Sequence, residues 1–199
     1  MRIKQQPVER SPVAGLAGDK SGIAATEFAM LLPVMTFMFF GMLEGSDLFT
    51  VNRRLANATN SLVDLVAQEP TITEAELSDL MIGVTRILEP TDTSTVSMSV
   101  ISVIKGANAN DPVKVHWSRD GHGQEPYPAG STYPKLDDET TLFPNSSLLV
   151  VEIDYDYESG LTGKVFTMPF DFSHQAARWP RKSSRVQLCA TADPASCTS

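Results

Sequence analysis

"SGIAATEFAMLLPVMTFMFFGMLEGSD", residues 21–47, decides how the rest of the chain is read. No residue from Phe28 to Leu43 is charged. Counted from Ile23 the apolar stretch is about 21 residues long, and a helix rising about 1.5 Å per residue would carry it across a hydrocarbon core of about 30 Å. Arg2, Lys4, Arg10 and Lys20 precede the stretch against Glu9 and Asp19, whereas Glu44 and Asp47 come first after it. That balance puts the N-terminal side in the cytoplasm and everything after Asp47 outside. A cleaved signal peptide fits less well, because its apolar core is usually about 7–15 residues and "GMLEGSD" offers no A-x-A-like cleavage site.

Glu27 is the anomaly. A carboxylate in a membrane helix is costly and commonly has work to do, although one near the cytoplasmic edge can also complement the helix dipole and reach water. Its surroundings are specific: Gly22, Ile23, three small or polar residues, Glu27 and Phe28, at the junction of a basic leader and an apolar helix. This G-I-A-A-T-E-F pattern resembles the processing site of type IV prepilins. It is most similar to the type IVb (Flp) and TadE/TadF-like pseudopilins of tight-adherence pilus systems, as is the continuation "EFAMLLP" with Pro33.

The resemblance implies cleavage between Gly22 and Ile23 by a membrane aspartyl prepilin peptidase, with Glu27 as the fifth residue of the mature chain. It implies a minor pseudopilin rather than an enzyme, held in a bacterial inner membrane with its C-terminal head in the periplasm and possible entry into the pilus left open. The implied partners are the prepilin peptidase, Flp pilin, other minor pseudopilins and the inner-membrane assembly platform, with no cofactor. Cleavage would create an amine at Ile23, positively charged near neutral pH. Glu27, one helical turn away, could pair with that amine on its own or a neighbouring subunit and set the register between packed helices. Pro33 should bend or loosen the helix over residues 29–33. Gly41 and Gly45 form a weak G-x-x-x-G pattern.

Four segments follow: a leader at 1–22, a membrane helix at 23–45, an amphipathic stalk at 46–70 and a head at 71–199. In the stalk, Leu48, Val51, Leu55, Leu62 and Val66 recur on one helical face. Thr73 and Glu76 form a T-x-x-E capping box ahead of a second helix that Pro90 stops. Strands are expected at "TVSMSVISVI", "PVKVHWS" and "SLLVVEIDYDY", with shorter ones at "KVFTM" and "SRVQLCA". Gly and Pro punctuate residues 119–146 as loop. The fold class is α+β, with a mostly antiparallel sheet of three to five strands packed by the stalk and second helix, a pilin-like plan.

Composition narrows function further. The formal charge of −8 over 199 residues, with no basic, aromatic-interleaved stretch, argues against a nucleic-acid partner. His116, His122 and His174 match no zinc spacing, and loop polarity accounts for them. Asp137 to Glu139 pair carboxylates, as do Glu152, Asp154 and Asp156, but alternation puts the second set on one face of a half-exposed strand. Arg178, Arg181, Lys182 and Arg185 form a basic run read as a solvated surface or a contact for an acidic partner. Cys189 and Cys197 can close a short disulfide loop in an oxidising compartment, and no metal site is evident. The alternative is an uncleaved, membrane-anchored periplasmic domain that binds a ligand or catalyses a reaction.

Overall fold

The computed structural model describes residues 21–89, 92–108, 110–136, 142–157 and 170–198. The candidate strand at 164–168, the leader up to residue 20, the stop at Pro90 and the carboxylates at 137–139 lie outside the described residues. The chain divides into two units, Met1–Ser46 and Asp47–Ser199. The first helix, α1, is a single element at Ser21–Ala67 that runs on through Pro33. The described part of the first unit is the apolar beginning of α1, whose side chains up to Leu43 are all exposed from Gly22 on.

In the second unit α1 becomes amphipathic. Val51, Leu55, Ala58, Leu62, Val63 and Val66 are buried, a spacing of three or four residues that lays one stripe on the core. The helix closes at Ala67 with two tight turns, Gln68 N–H to the Leu65 carbonyl and Glu69 N–H to that of Val66, both 3.2 Å, just ahead of Pro70. A second helix, α2 (Glu74–Leu88), begins on the expected capping box. The Thr73 amide donates to Glu76 Oε2 at 2.9 Å, and the Glu76 amide donates to Thr73 Oγ1 at 3.2 Å. These bonds to Thr73, backbone first, hold the Glu76 carboxyl below its ordinary range. Leu77, Met81, Val84 and Leu88 turn the buried face of α2 into the same core.

The sheet is antiparallel, in the order β3-β2-β4-β5, from β2 (Val96–Lys105), β3 (Val113–Asp120), β4 (Ser147–Tyr157) and β5 (Phe170–Arg178). Alternation along β4 places Leu149, Val151, Ile153 and Tyr155 in the core shared with α1 and α2. Leu148 and Val150 look the other way, into a second cluster with Ile101, Val103, Val113, Val115, Tyr133 and Leu142. The Gly/Pro-rich connection between β3 and β4 therefore covers the face of the sheet opposite the helices. A parallel pair completes the head: β1 (Thr71–Thr73) lies against β6 (Gln187–Cys189), and a disulfide joins Cys189 to Cys197.

Two observations correct the sequence reading. The strand β5 was not expected, and neither was β1. Loop polarity does not account for two of the histidines: His116 is buried in the expected strand β3, and His174 stands on β5, bonded to Asn52 at 2.7 Å. Arg178, Arg181, Lys182 and Arg185 are exposed, as a solvated surface requires, and the first three also bond within the head. Arg178 donates to Asn60 Oδ1 at 2.9 Å, Arg181 pairs with Asp64, Lys182 lies 3.8 Å from Glu69, and the Arg181 amide donates to the Ala67 carbonyl at 2.9 Å. These bonds satisfy an end-of-helix carbonyl and bring positive charge to the C-terminal turns of α1, where the dipole favours it.

Candidate processing and assembly site

The residues singled out near the N-terminus all lie in the first turns of α1. A side chain added at Gly22 would meet nothing within 4 Å. Thr26 Oγ1 donates to the Ile23 carbonyl at 2.8 Å. Ile23 and Glu27 are four residues apart on one continuous helix, hence on one face and one turn from each other. Ile23 is 53% and Phe28 59% exposed. Pro33 lacks an N–H, which deprives the Ala29 carbonyl of its helical donor without ending the helix. Gly41 and Gly45 also have open space where a side chain would be.

The apolar part of this helix is uncovered. The span Gly22–Ala67 contains a window of mean hydropathy 1.8 of which no part is buried. A contiguous apolar surface of that size does not persist in water, so lipid or other helices must cover it.

In the head, titratable groups converge on one carboxylate that the sequence reading left on a half-exposed strand face. Glu152, on β4, is only 5% exposed. It accepts hydrogen bonds from Tyr133 Oη, from Tyr127 Oη at 3.1 Å and from Lys135 Nζ at 2.9 Å. Gln175 on β5 donates to Tyr133 Oη at 2.9 Å and to the Lys135 carbonyl at 3.2 Å. All three donors to Glu152 come from the Gly/Pro-rich connection, so one buried carboxylate fastens that segment to the sheet. The rings of Tyr127 and Tyr133 pack edge to face, 5.2 Å apart. Alternation gave the face on which Glu152 lies; the two tyrosines amid prolines were the only local sign of what covers it.

This cluster holds its protons firmly. Burial, followed by the hydrogen bond to Glu152 and its charge, drives the Tyr133 phenol well above its ordinary range. The bond to Glu152 raises Lys135. In the unfolded chain tyrosine ionises near pH 10. The stabilisation linked to Tyr133 is therefore complete below about pH 10 and is lost as pH rises beyond it, because the unfolded state releases a proton that the folded state retains. Urea midpoints measured from pH 9 to 11 should fall, and Tyr133→Phe should flatten that fall; equal slopes in both proteins would contradict the assignment.

The histidines are scattered: His116 on β3, His122 in the turn after it, and His174 on β5. Asp120, between the first two, accepts from the amides of His122 at 2.9 Å and Gln124 at 2.7 Å, and so shapes that turn. Among the described residues no group of three His, Cys, Asp or Glu is placed to hold a metal.

Against known proteins, residues 22–62 match the family described as TadE-like protein. The match begins at the glycine of the junction and ends at Leu62, on the stripe of α1 buried in the head. Comparison with curated proteins and with solved structures gave no match. The chain thus carries a TadE-like segment over about a fifth of its length, and that segment contains the apolar part of α1, long and apolar enough to cross a membrane.

Proposed function

We propose that this chain is a minor pseudopilin of a tight-adherence (Flp, type IVb) pilus. It is made with a cytoplasmic leader, cut after Gly22 by a prepilin peptidase, and held in the bacterial inner membrane by residues 23–45 with its head in the periplasm. There it takes part in pilus assembly with Flp pilin, other minor pseudopilins and the inner-membrane platform. The observation that carries this reading is the placement of Gly22 and Glu27 at the head of an uncovered apolar helix, within the TadE-like segment. The chemistry then belongs to the peptidase and the assembly machinery, and the chain supplies a cleavable junction, an anchor and a head.

Intact mass and N-terminal sequence of the membrane-bound chain, from cells with and without a functional prepilin peptidase, test the reading. The expected result is a peptidase-dependent start at Ile23, with the formal net charge moving from −8 to −10 as four basic and two acidic residues are removed. A chain that still begins at Met1 in cells with active peptidase would overturn it.

A further inference from the structure

The two ends of the sheet in the head carry opposite charge, and both present aromatic rings. At one end β5 finishes in Arg178, followed by Trp179, Arg181, Lys182 and Arg185. Trp179 is 42% exposed and Phe143 72% exposed, yet their rings lie beside each other with centroids 6.3 Å apart. Two rings brought together from separate segments and left open to solvent resemble the Trp- and Arg-rich centres that dominate protein interfaces. Arg181 and Lys182 are matched by Asp64 and Glu69. The partner of Arg178 is the neutral Asn60 and Arg185 has no carboxylate partner among the described residues, so among those residues positive charge is in excess here although the whole chain is at −8.

At the other end, Asp156 of β4 and Asp171 of β5 face each other across the ladder, with Asp154 one step in on the same face. Like charges directly opposed on a sheet repel. Among the described residues none of these three carboxylates has an ion pair. Phe170 is exposed next to them. Asp171 and Arg178 are seven residues apart along one strand, about 23 Å at about 3.3 Å per residue, so the two ends cannot meet within one molecule.

We propose that the basic, aromatic end of the sheet is the docking surface for the acidic end of a second copy of this chain. Charge complementarity selects that occupant, because each end supplies what the other lacks. Such a contact joins unlike surfaces, leaves one of each free, and so can repeat from copy to copy. It does not depend on processing after Gly22.

The test uses the full chain in detergent micelles with its disulfide intact, as an equal mixture of light and heavy isotope-labelled copies, treated with a carbodiimide that joins an amine to a carboxylate without a spacer. Lys182 should couple to Asp154, Asp156 or Asp171 in mixed heavy–light peptides. The yield should drop about tenfold in high salt and in the variant carrying Asp156→Lys and Asp171→Lys. Mixing that variant with one carrying Lys182→Glu and Arg185→Glu should restore heavy–light association, which a folding defect in either would not do. Absence of these mixed peptides would overturn the proposal. So would self-association, measured by sedimentation velocity, that is the same in wild type and Asp156→Lys/Asp171→Lys, since the apolar helix alone would then account for it.

Discussion

Replacing Glu152 with alanine is expected to destabilise the head by about 3 kcal/mol, a loss that should appear as a lower urea midpoint followed by the fluorescence of Trp117. Trp117 is a suitable reporter because it is buried and its Nε1 donates to the Val186 carbonyl at 2.9 Å, so its surroundings change when the head opens. The magnitude comes mainly from the buried partner. Tyr133 is 1% exposed, and without the carboxylate its hydroxyl must find another acceptor in the core. Lys135 contributes little, since its side chain is 50% exposed and can turn to water. Glu152→Gln keeps an acceptor in place and should cost about 1 kcal/mol, roughly a third as much. Equal losses for the two variants would mean that charge rather than acceptor geometry holds the cluster. The alanine variant should also be cut faster by protease between Gly121 and Leu136, because the segment loses the anchor shared by three of its side chains.

What the sequence conveyed, and what it withheld, follow one physical line. Local patterns were legible: the stripe from Val51 to Val66, the reciprocal Thr73–Glu76 cap, and the limits of β4 from Ser147 to Tyr157 all rest on neighbours within a few residues. The pairs that failed are distant in sequence. β1 is three residues long, and its pairing with the expected strand β6 sets Ile72 against Leu188, more than a hundred residues away. β5 reads Phe170, Phe172, His174 and Ala176 on one alternate set, but the aspartate, serine and glutamine between them and its place at the sheet edge gave it little apolar signal. Glu152 shows the same limit: pattern assigns a face, whereas burial depends on which remote segment lies on it. The partners of the basic run were hidden for that reason too, since Asn60, Asp64 and Glu69 lie more than a hundred residues before the cations they engage. The resemblance to TadE-like proteins was legible because the pattern that carries it, Gly22 to Phe28, is contained in seven consecutive residues.

Replacing Glu27 with alanine should leave cleavage after Gly22 intact while reducing co-assembly with pilin about a hundredfold. The two effects separate because they draw on different parts of the first turns. The proposed cleavage needs access at the Gly22–Ile23 bond, and a Cβ added at Gly22 would meet nothing within 4 Å among the described residues. Glu27 is exposed in the single chain, so its charge has no structural duty there that its loss would disturb. Assembly changes its surroundings. When apolar helices close around it, the carboxylate and the Ile23 amine that the proposed cleavage would create enter a medium where either alone is costly, and removing one member of a buried pair costs about 3–5 kcal/mol. At about 1.4 kcal/mol per factor of ten, the low end of that range already gives about a hundredfold. Glu27→Gln, which keeps a hydrogen-bond acceptor without the charge, should fall between wild type and alanine. Processing and assembly can be read in the same cells, from the N-terminus of the membrane-bound chain and from the amount recovered with pilin. If Glu27→Ala is processed and recovered with pilin at the wild-type level, the carboxylate is only a helix-end charge, and register between the helices must come from their apolar surfaces.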